Sequence, residues 1–342
     1  MNESESSVPP SSYAQNPKAQ TKVAIFGLGY IGRMVLEAIQ KEVFFYNRKL
    51  DLVGAVDIVA ESCQWAAKQG IPAFQSLSEL LSKTRPDVII HTTASNMAVV
   101  VAQLKEIVLA KIPVVSSTEE LFFPWEQNPK IAQELNDLCI QNGVTILGTG
   151  VNPGFIMDVL PAQLTQVCHS VQQIKVTRVV NASTRRPPLQ RKIGVGLDEA
   201  TFRSYADSGR INPVGLMESV DFLAAHMGWT LTKKMQQLDP ILTPKALKTG
   251  TVSVRKDDVS GFRHQAWGEI DRKRVIELDL KIFLEADRPG DHIIIKANPP
   301  LNVWVEGGVP GDPGAVASLI RGIPIVLQAR PGIVRRLERD HF

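Results

Sequence analysis

The sequence Gly27-Leu28-Gly29-Tyr30-Ile31-Gly32 follows the short apolar run Val23–Phe26 and opens a stretch with helical spacing from Tyr30 to about Gln40. No other feature of the chain restricts its fold so strongly. The first glycine of such a strand-to-helix turn permits the tight reversal, the second lets an outside group approach the backbone, and the third allows close packing of helix on strand. The helix start presents free N–H groups at the positive end of its dipole, a natural seat for an anion. The competing explanation is an ordinary turn that needed small residues.

A second run, Leu52–Val56, ends on Asp57. A carboxylate closing the strand after a G-x-G-x-x-G turn can accept hydrogen bonds from the adenine ribose of a dinucleotide, so Gly27, Leu28, Gly29, Tyr30, Ile31, Gly32 and Asp57 together predict a nicotinamide dinucleotide site. Asp57 would repel a 2′-phosphate, and Ile58 and Val59 follow it rather than an arginine. NAD is therefore favoured over NADP, unless an arginine arrives from another loop.

Past Asp57, helix-like segments near Glu61–Gln69, Leu77–Ser82, Met97–Leu109 and Ile131–Gln141 alternate with apolar runs at Pro72–Phe74, Asp87–His91, Ile112–Ser116 and Val144–Leu147. Strands alternating with helices over short loops predict a parallel sheet covered on both faces. Beyond Gly154, long β-favouring stretches appear at Gln172–Val180, Gly250–Val254, Arg263–Ile270, Val275–Glu285 and His292–Lys296, with helical segments at Asp198–Tyr205 and Val214–Met227. Several of the stretches alternate apolar with polar residues, as a mixed or antiparallel sheet does. The expected fold class is α/β: a Rossmann doubly wound parallel sheet with a second mixed α/β domain for substrate and dimerisation. The expected divisions are a disordered tail over 1–20, a dinucleotide-binding domain over 21–155, a second domain over 156–311, and a C-terminal helix within 312–342 returning to the first domain.

Composition removes other classes. Hydrophobic residues make up 44% of the 342 and the formal net charge is only +3, so neither nucleic acid nor an acidic membrane is the expected partner. Cys63, Cys139 and Cys168 lie far apart and form no C-x-x-C pair, which argues against a disulfide framework or thiolate metal site. No apolar run approaches the roughly 20 residues that span a bilayer. A cytoplasmic protein acting on a small molecule, with no metal, is the expectation.

In open α/β sheets ligands lie beyond the carboxyl ends of the strands. After the fourth strand come His91-Thr92-Thr93-Ala94-Ser95, whose hydroxyls and small side chains suit the nicotinamide ribose or, equally, a polar loop capping the next helix. His91 itself reads as a satisfied strand-end histidine. After the fifth strand, Ser117 and Glu120 match a capping box, which gives Glu120 a structural task and leaves Glu119 available as a proton acceptor or donor. First-turn acids answering a helix dipole would explain both glutamates equally well.

The motifs together resemble the dihydrodipicolinate reductase-like dehydrogenases, in the branch of 2,4-diaminopentanoate dehydrogenase and the related NAD(P)H-dependent amine dehydrogenases. The resemblance rests on Gly27–Gly32, Thr118-Glu119-Glu120-Leu121, Gly148–Phe155 running into Met157-Asp158, and Asn181–Arg186 with Leu189–Gly194; Val214–Ser219 and Gly311-Asp312-Pro313 also fit. It implies a Rossmann domain, a mixed second domain and a homodimer built largely through the latter. It implies exchange of a primary amine with a ketone or aldehyde plus ammonia, NAD or NADP as cofactor, and a catalytic glutamate in the Glu-Glu pair, assigned to Glu119 with Glu120 in reserve. Asn152 and Pro153 are read either as a loop brought close to the nicotinamide or as a plain turn, Phe155 as a wall of the substrate pocket, and His264 and Trp267 as further walls of it or as surface or dimer contacts. Asn212-Pro213 departs from the Gly-His pair expected before Val214, which leaves the substrate open. An imine or carbonyl reductase like dihydrodipicolinate reductase, and a dinucleotide sensor without turnover, are the rival functions.

Overall fold

The computed structural model describes residues 20–41, 49–249 and 252–336. The expected tail over 1–20 therefore lies outside the described residues apart from Gln20. In chain order the elements begin β1 (Thr21–Phe26), α1 (Tyr30–Gln40), β2 (Leu50–Val56), α2 (Ala60–Lys68), β3 (Ala73–Phe74), α3 (Leu77–Lys83), β4 (Val88–His91), α4 (Met97–Leu109), β5 (Val114–Ser116), α5 (Pro129–Asn142) and β6 (Thr145–Gly148). They continue with α6 (Val159–Leu164), β7 (Ser170–Asn181), α7 (Pro187–Lys192), α8 (Glu199–Asp207), α9 (Leu216–Met227), β8 (Lys233–Leu242), β9 (Leu247–Lys248), β10 (Ser253–Val254), β11 (Val259–Ile270) and β12 (Lys273–Phe283). The last are β13 (Gly290–Asn298), β14 (Leu301–Glu306), α10 (Gly311–Gln328) and β15 (Gly332–Ile333).

The first sheet has the order β15-β6-β5-β4-β1-β2-β3 and every pairing in it is parallel. Its central strands β4 and β5 are buried along their whole length, as strands covered on both faces must be. One face packs Val35, Leu36 and Ile39 of α1 with Leu319, Ile320 and Ile323 of α10. The other packs Leu77 and Leu80 of α3, Leu104 and Ile107 of α4, and Leu135 of α5. The strand order reverses between β1 and β4, which opens a crevice at the carboxyl ends of those strands.

The second sheet has the order β14-β13-β7-β12-β11-β8, mixed because β7 and β12 run parallel. Helix α9 lies against β11 and β12 and is buried along most of its length. Its Phe222 touches Phe122 and Phe123 of the β5–α5 connection, with ring centroids 5.1 and 5.9 Å away, and so packs α9 against the end of the first sheet.

Three features depart from the sequence expectations. Helix α10 stops at Gln328, and the chain goes on into β15, which pairs with β6, so a helix does not fill 312–342. Ser117 caps nothing: the segment after β5 is a single 3-10 turn, Glu119–Leu121, without a side-chain cap. Strands β8 and β14 were not anticipated. Both are edge strands, and β8 carries Pro240, which an edge tolerates but which obscures a strand in sequence.

Candidate active site

The glycine turn occupies the crevice at the strand-order reversal, and its three glycines are needed for different reasons. Gly27 has φ +103°, and a Cβ there would lie 2.9 Å from the Thr92 backbone. A Cβ at Gly32 would collide with the Gly27 carbonyl oxygen. Gly29 has φ −64°, which any residue can adopt, and a Cβ there would meet nothing within 4 Å. The protein itself gives no reason for glycine at 29. A group from outside the chain that must approach this backbone does, and that is the fit expected of a dinucleotide diphosphate. Helix α1 agrees: it has no side-chain cap and no acid in its first turn, so its N-terminal N–H groups still await an acceptor.

Asp57 serves the same turn. Its two oxygens accept from Leu28 N at 2.6 Å and from Val59 N at 2.8 Å, so the carboxylate is held at the end of β2 by backbone from both sides. Arg33 lies nearby, donating to Leu28 O at 3.0 Å and Ser62 Oγ at 3.3 Å while its guanidinium stacks on Trp65. Thr92 donates its hydroxyl to Gly27 O at 2.7 Å, which shows that this residue supports the turn. Thr93 hydrogen-bonds His91 and Gln103, and Ala94 O accepts from Thr118. His91 is buried with Ser116 at one ring nitrogen and Gln103 at the other, and burial pulls its pKa down to about 4; it is the satisfied strand-end histidine.

The two glutamates after β5 separate cleanly. Glu120 Oε2 accepts from Met97 N at 2.7 Å and Oε1 accepts from Asn96 Nδ2 at 2.9 Å, so Glu120 caps α4, the helix after the neighbouring strand, rather than its own. Glu119 has no ion-pair partner among the described residues. It sits partly open at the carboxyl end of β5, and burial pushes its carboxyl up to about 7, against smaller opposing effects from Lys192 and Ser95. A carboxyl group pushed up toward neutrality at the carboxyl end of a sheet strand can both take and give a proton.

The loop after β6 closes over this point. Asn152-Pro153 has a cis peptide bond, and a Cβ at Gly215 would strike Pro153 Cδ and come within 3.4 Å of Glu119 Cβ. Gly215, at φ +100°, thus lets the start of α9 reach both Pro153 and Glu119. Asp158 fastens the loop from beneath, accepting from Gly154 N at 3.0 Å, Val159 N at 2.6 Å and Ser219 Oγ at 2.8 Å. From the C-terminal segment, half-buried Arg336 donates to Thr149 Oγ1 at 2.8 Å and Gly154 O at 3.3 Å.

Other residues were not singled out by sequence. Glu218, in the first turn of α9, is buried and faces the charge of Glu120; burial pushes its carboxyl up to about 7 as well. Nothing local marks it, because its environment comes from β5, the β6 loop and α9 together. Among the substrate-pocket candidates, Phe155 is exposed next to the cis-proline loop. His264 and Trp267 do not come together, since three residues along β11 put them on opposite faces. His264 is buried, bonded to Gln236 through Nε2, whereas Trp267 turns to the other face, bonded to Glu269 and stacked under Arg274. Among the described residues no cluster of three or more His, Cys, Asp or Glu side chains could hold a metal, and no helix is long and apolar enough to cross a membrane.

This arrangement agrees with what the chain is similar to. Residues 21–122 match the model of an oxidoreductase family with an NAD-binding Rossmann fold, and residues 155–339 match the 2,4-diaminopentanoate dehydrogenase C-terminal domain. The 2,4-diaminopentanoate dehydrogenase of Acetoanaerobium sticklandii is 32% identical over 264 residues, 75% of each chain. In fold, an amine dehydrogenase from Mycobacterium smegmatis superposes with a TM-score of 0.80 at 22% identity, over 94% of this chain and 97% of that one. An apo scyllo-inositol dehydrogenase from Lactobacillus casei superposes at 0.57 and 12% identity, over 93% and 91%. With its NAD-binding Rossmann sheet and its matching second half, the chain belongs to the 2,4-diaminopentanoate dehydrogenase family of oxidoreductases.

Proposed function

We propose that this protein is an NAD(P)-dependent amine dehydrogenase that interconverts a primary amine with a ketone or aldehyde plus ammonia, with Glu119 as its acid–base residue. The observation that carries the proposal is the position of Glu119 at the carboxyl end of β5, where Gly215 and the cis-Pro153 loop close around it and burial pushes its carboxyl up to about 7. When bound, the nicotinamide accepts a hydride from the carbon bearing nitrogen, or returns one. Glu119 as carboxylate takes a proton from the substrate ammonium, so the carbon–nitrogen bond becomes an imine as the hydride leaves. Water then adds to the imine, still protonated on nitrogen, and sheds its two protons to solvent as its oxygen becomes the carbonyl, while Glu119, now protonated, returns its proton to the departing nitrogen as ammonia is released. In the reductive direction the same group orients ammonia and protonates the addition intermediate. The first-turn N–H groups of α1 and the open space at Gly29 would seat the diphosphate, Asp57 the adenine ribose, and Thr93, Ala94, Asn152 and Pro153 the nicotinamide end.

Asp57 supports NAD over NADP, because a carboxylate held at the end of β2 would repel a 2′-phosphate brought to the adenine ribose. Arg33, stacked on Trp65 beside Ser62, supplies the nearby cation that would let NADP bind as a second choice. We further assign a cytoplasmic homodimer joined through the open face of the second sheet, where Trp304 and Met235 are exposed. Light scattering tests the dimer.

The function is tested by mixing purified protein with NADH or NADPH and a panel of short ketones and aldehydes, with and without ammonium, while following nicotinamide absorbance. Oxidation that requires ammonium is expected. Turnover without ammonium would replace the proposal by a carbonyl or imine reductase, and cofactor binding with no turnover across the panel would replace it by a sensor. In the oxidative direction kcat/KM should rise with pH through about 7, as Glu119 loses its proton.

A further inference from the structure

A cleft of about 440 Å³ lies between the start of α1 and the second unit, lined by Tyr30 and Met34 on one side and by Arg178, Arg185, Arg186 and Asp312 on the other. Three arginines face it, and their situations differ. Arg178 is buried against Asp291 at 2.6 Å and also donates to Val309 O. Arg185 is paired with Asp312 at 3.0 Å. Arg186 is exposed and makes no ion pair or side-chain hydrogen bond among the described residues. What holds it is a ring: its guanidinium carbon lies 3.7 Å from the centroid of Tyr30, the first residue of α1.

That placement has a consequence for charge. Arg178 and Arg185 are neutralised where they stand, so Arg186 is the uncompensated cation of the cleft. The start of α10 in the same cleft carries Asp312 in its first turn, whereas the start of α1 carries neither acid nor cap. Two positive features therefore converge without an anion: the N–H groups of α1 and the guanidinium stacked on its first side chain. A planar guanidinium held over an aromatic face keeps its N–H edge free for a bidentate acceptor such as a phosphate.

We propose that Arg186 is a ligand of the cofactor diphosphate, delivered from the second unit across the cleft and held ready by Tyr30. Binding of the dinucleotide then joins the two units: the glycine turn grips the diphosphate from below and Arg186 from the side. The proposal rests on the dinucleotide assignment of the glycine turn and is independent of which substrate is reduced or oxidised.

The test is equilibrium binding without substrate, by fluorescence titration of NADH and by calorimetry with ADP-ribose and adenosine, on wild type, Arg186→Met and Arg186→Lys. A charge-assisted pair with phosphate corresponds to a loss of about 10- to 100-fold in affinity when the cation is removed. Arg186→Met should show that loss for NADH and ADP-ribose, which carry the diphosphate, and none for adenosine, which does not. Its NADH affinity should also depend less steeply on salt. Arg186→Lys should recover part of the loss, since it restores the charge without the fork. The melting temperature of the free protein should be unchanged in both variants, with the NADH-induced rise smaller in Arg186→Met. Affinities for NADH and ADP-ribose within twofold of wild type would overturn the proposal. So would unchanged NADH binding with a raised KM confined to carbonyl substrates bearing a carboxylate, which would make Arg186 a substrate ligand. Failure of ammonium-dependent turnover would leave these binding results intact, and a null result at Arg186 would leave the amine chemistry intact.

Discussion

Glu119→Gln should abolish turnover and at the same time stabilise the protein at alkaline pH. A carboxyl raised from 4.5 to about 7 is one whose ionised form the folded state disfavours. Its contribution to stability is present in full below pH 4.5 and is lost as pH rises through about 7. The whole shift corresponds to about 3 kcal/mol, of which roughly 2 is lost between pH 5.5 and 8.5. Glu119 is partly open to water, which screens the charge, so about 1–2 kcal/mol should be realised. Gln does not titrate. The advantage of Glu119→Gln over wild type should therefore be larger at pH 8.5 than at pH 5.5, a difference of roughly 1.5–3 °C in melting temperature for a chain of this length. The assay is thermal unfolding of both proteins at the two pH values; titrating groups that do not interact with Glu119 cancel in the double difference. Oxidative kcat/KM of the variant should fall by about 10²- to 10⁴-fold while NADH affinity stays near wild type. An equal or smaller advantage at pH 8.5 would refute the burial of this carboxyl, and retained activity would refute its role.

Gly29→Ala should melt like wild type and lose cofactor affinity by at least about tenfold, whereas Gly32→Ala should lower the melting temperature, because only the second Cβ meets protein; titration and unfolding of the pair check this. Glu120→Gln puts an amide group among the donors Met97 N and Asn96 Nδ2, so it should cost about 1–2 kcal/mol of stability, and by removing a charge that raises Glu119 it should move the pH profile of kcat/KM slightly to lower pH without abolishing turnover. If instead Glu120→Gln removes turnover and Glu119→Gln does not, the assignment of the pair is reversed. Asp158→Asn exchanges an acceptor of three bonds for a group that is half donor, and should lower stability by about 2–3 kcal/mol in chemical denaturation while raising KM through the loosened Asn152–Gly154 loop.

Local sequence carried the features that depend on near neighbours. The glycine turn, Asp57 at the end of β2 and the alternation of apolar runs with helical spacing all act over a few residues, or over the fixed length of one βαβ unit. The structure then placed them as a parallel sheet in the order expected of a doubly wound fold. It also sharpened them: Gly29 is the one glycine of the turn that the protein does not need for itself, and Glu120 caps a helix on another strand.

What sequence left open depends on contacts between distant segments. The environment that raises Glu119 and Glu218 is made by β5, the loop after β6 and the start of α9, which meet only because Gly215 lets α9 approach Pro153. Arg336 reaches that loop from the far end of the chain, and Arg186 reaches Tyr30 from the second unit. His264 and Trp267 read alike in sequence, yet the two-residue period of β11 sends them to opposite faces. The chain alone determined that a dinucleotide corner is present. Tertiary packing decided that the carboxyls of Glu119 and Glu218 are pushed up while that of Glu120 is spent on capping α4, because desolvation is set by everything that crowds around a group and not by its neighbours in sequence.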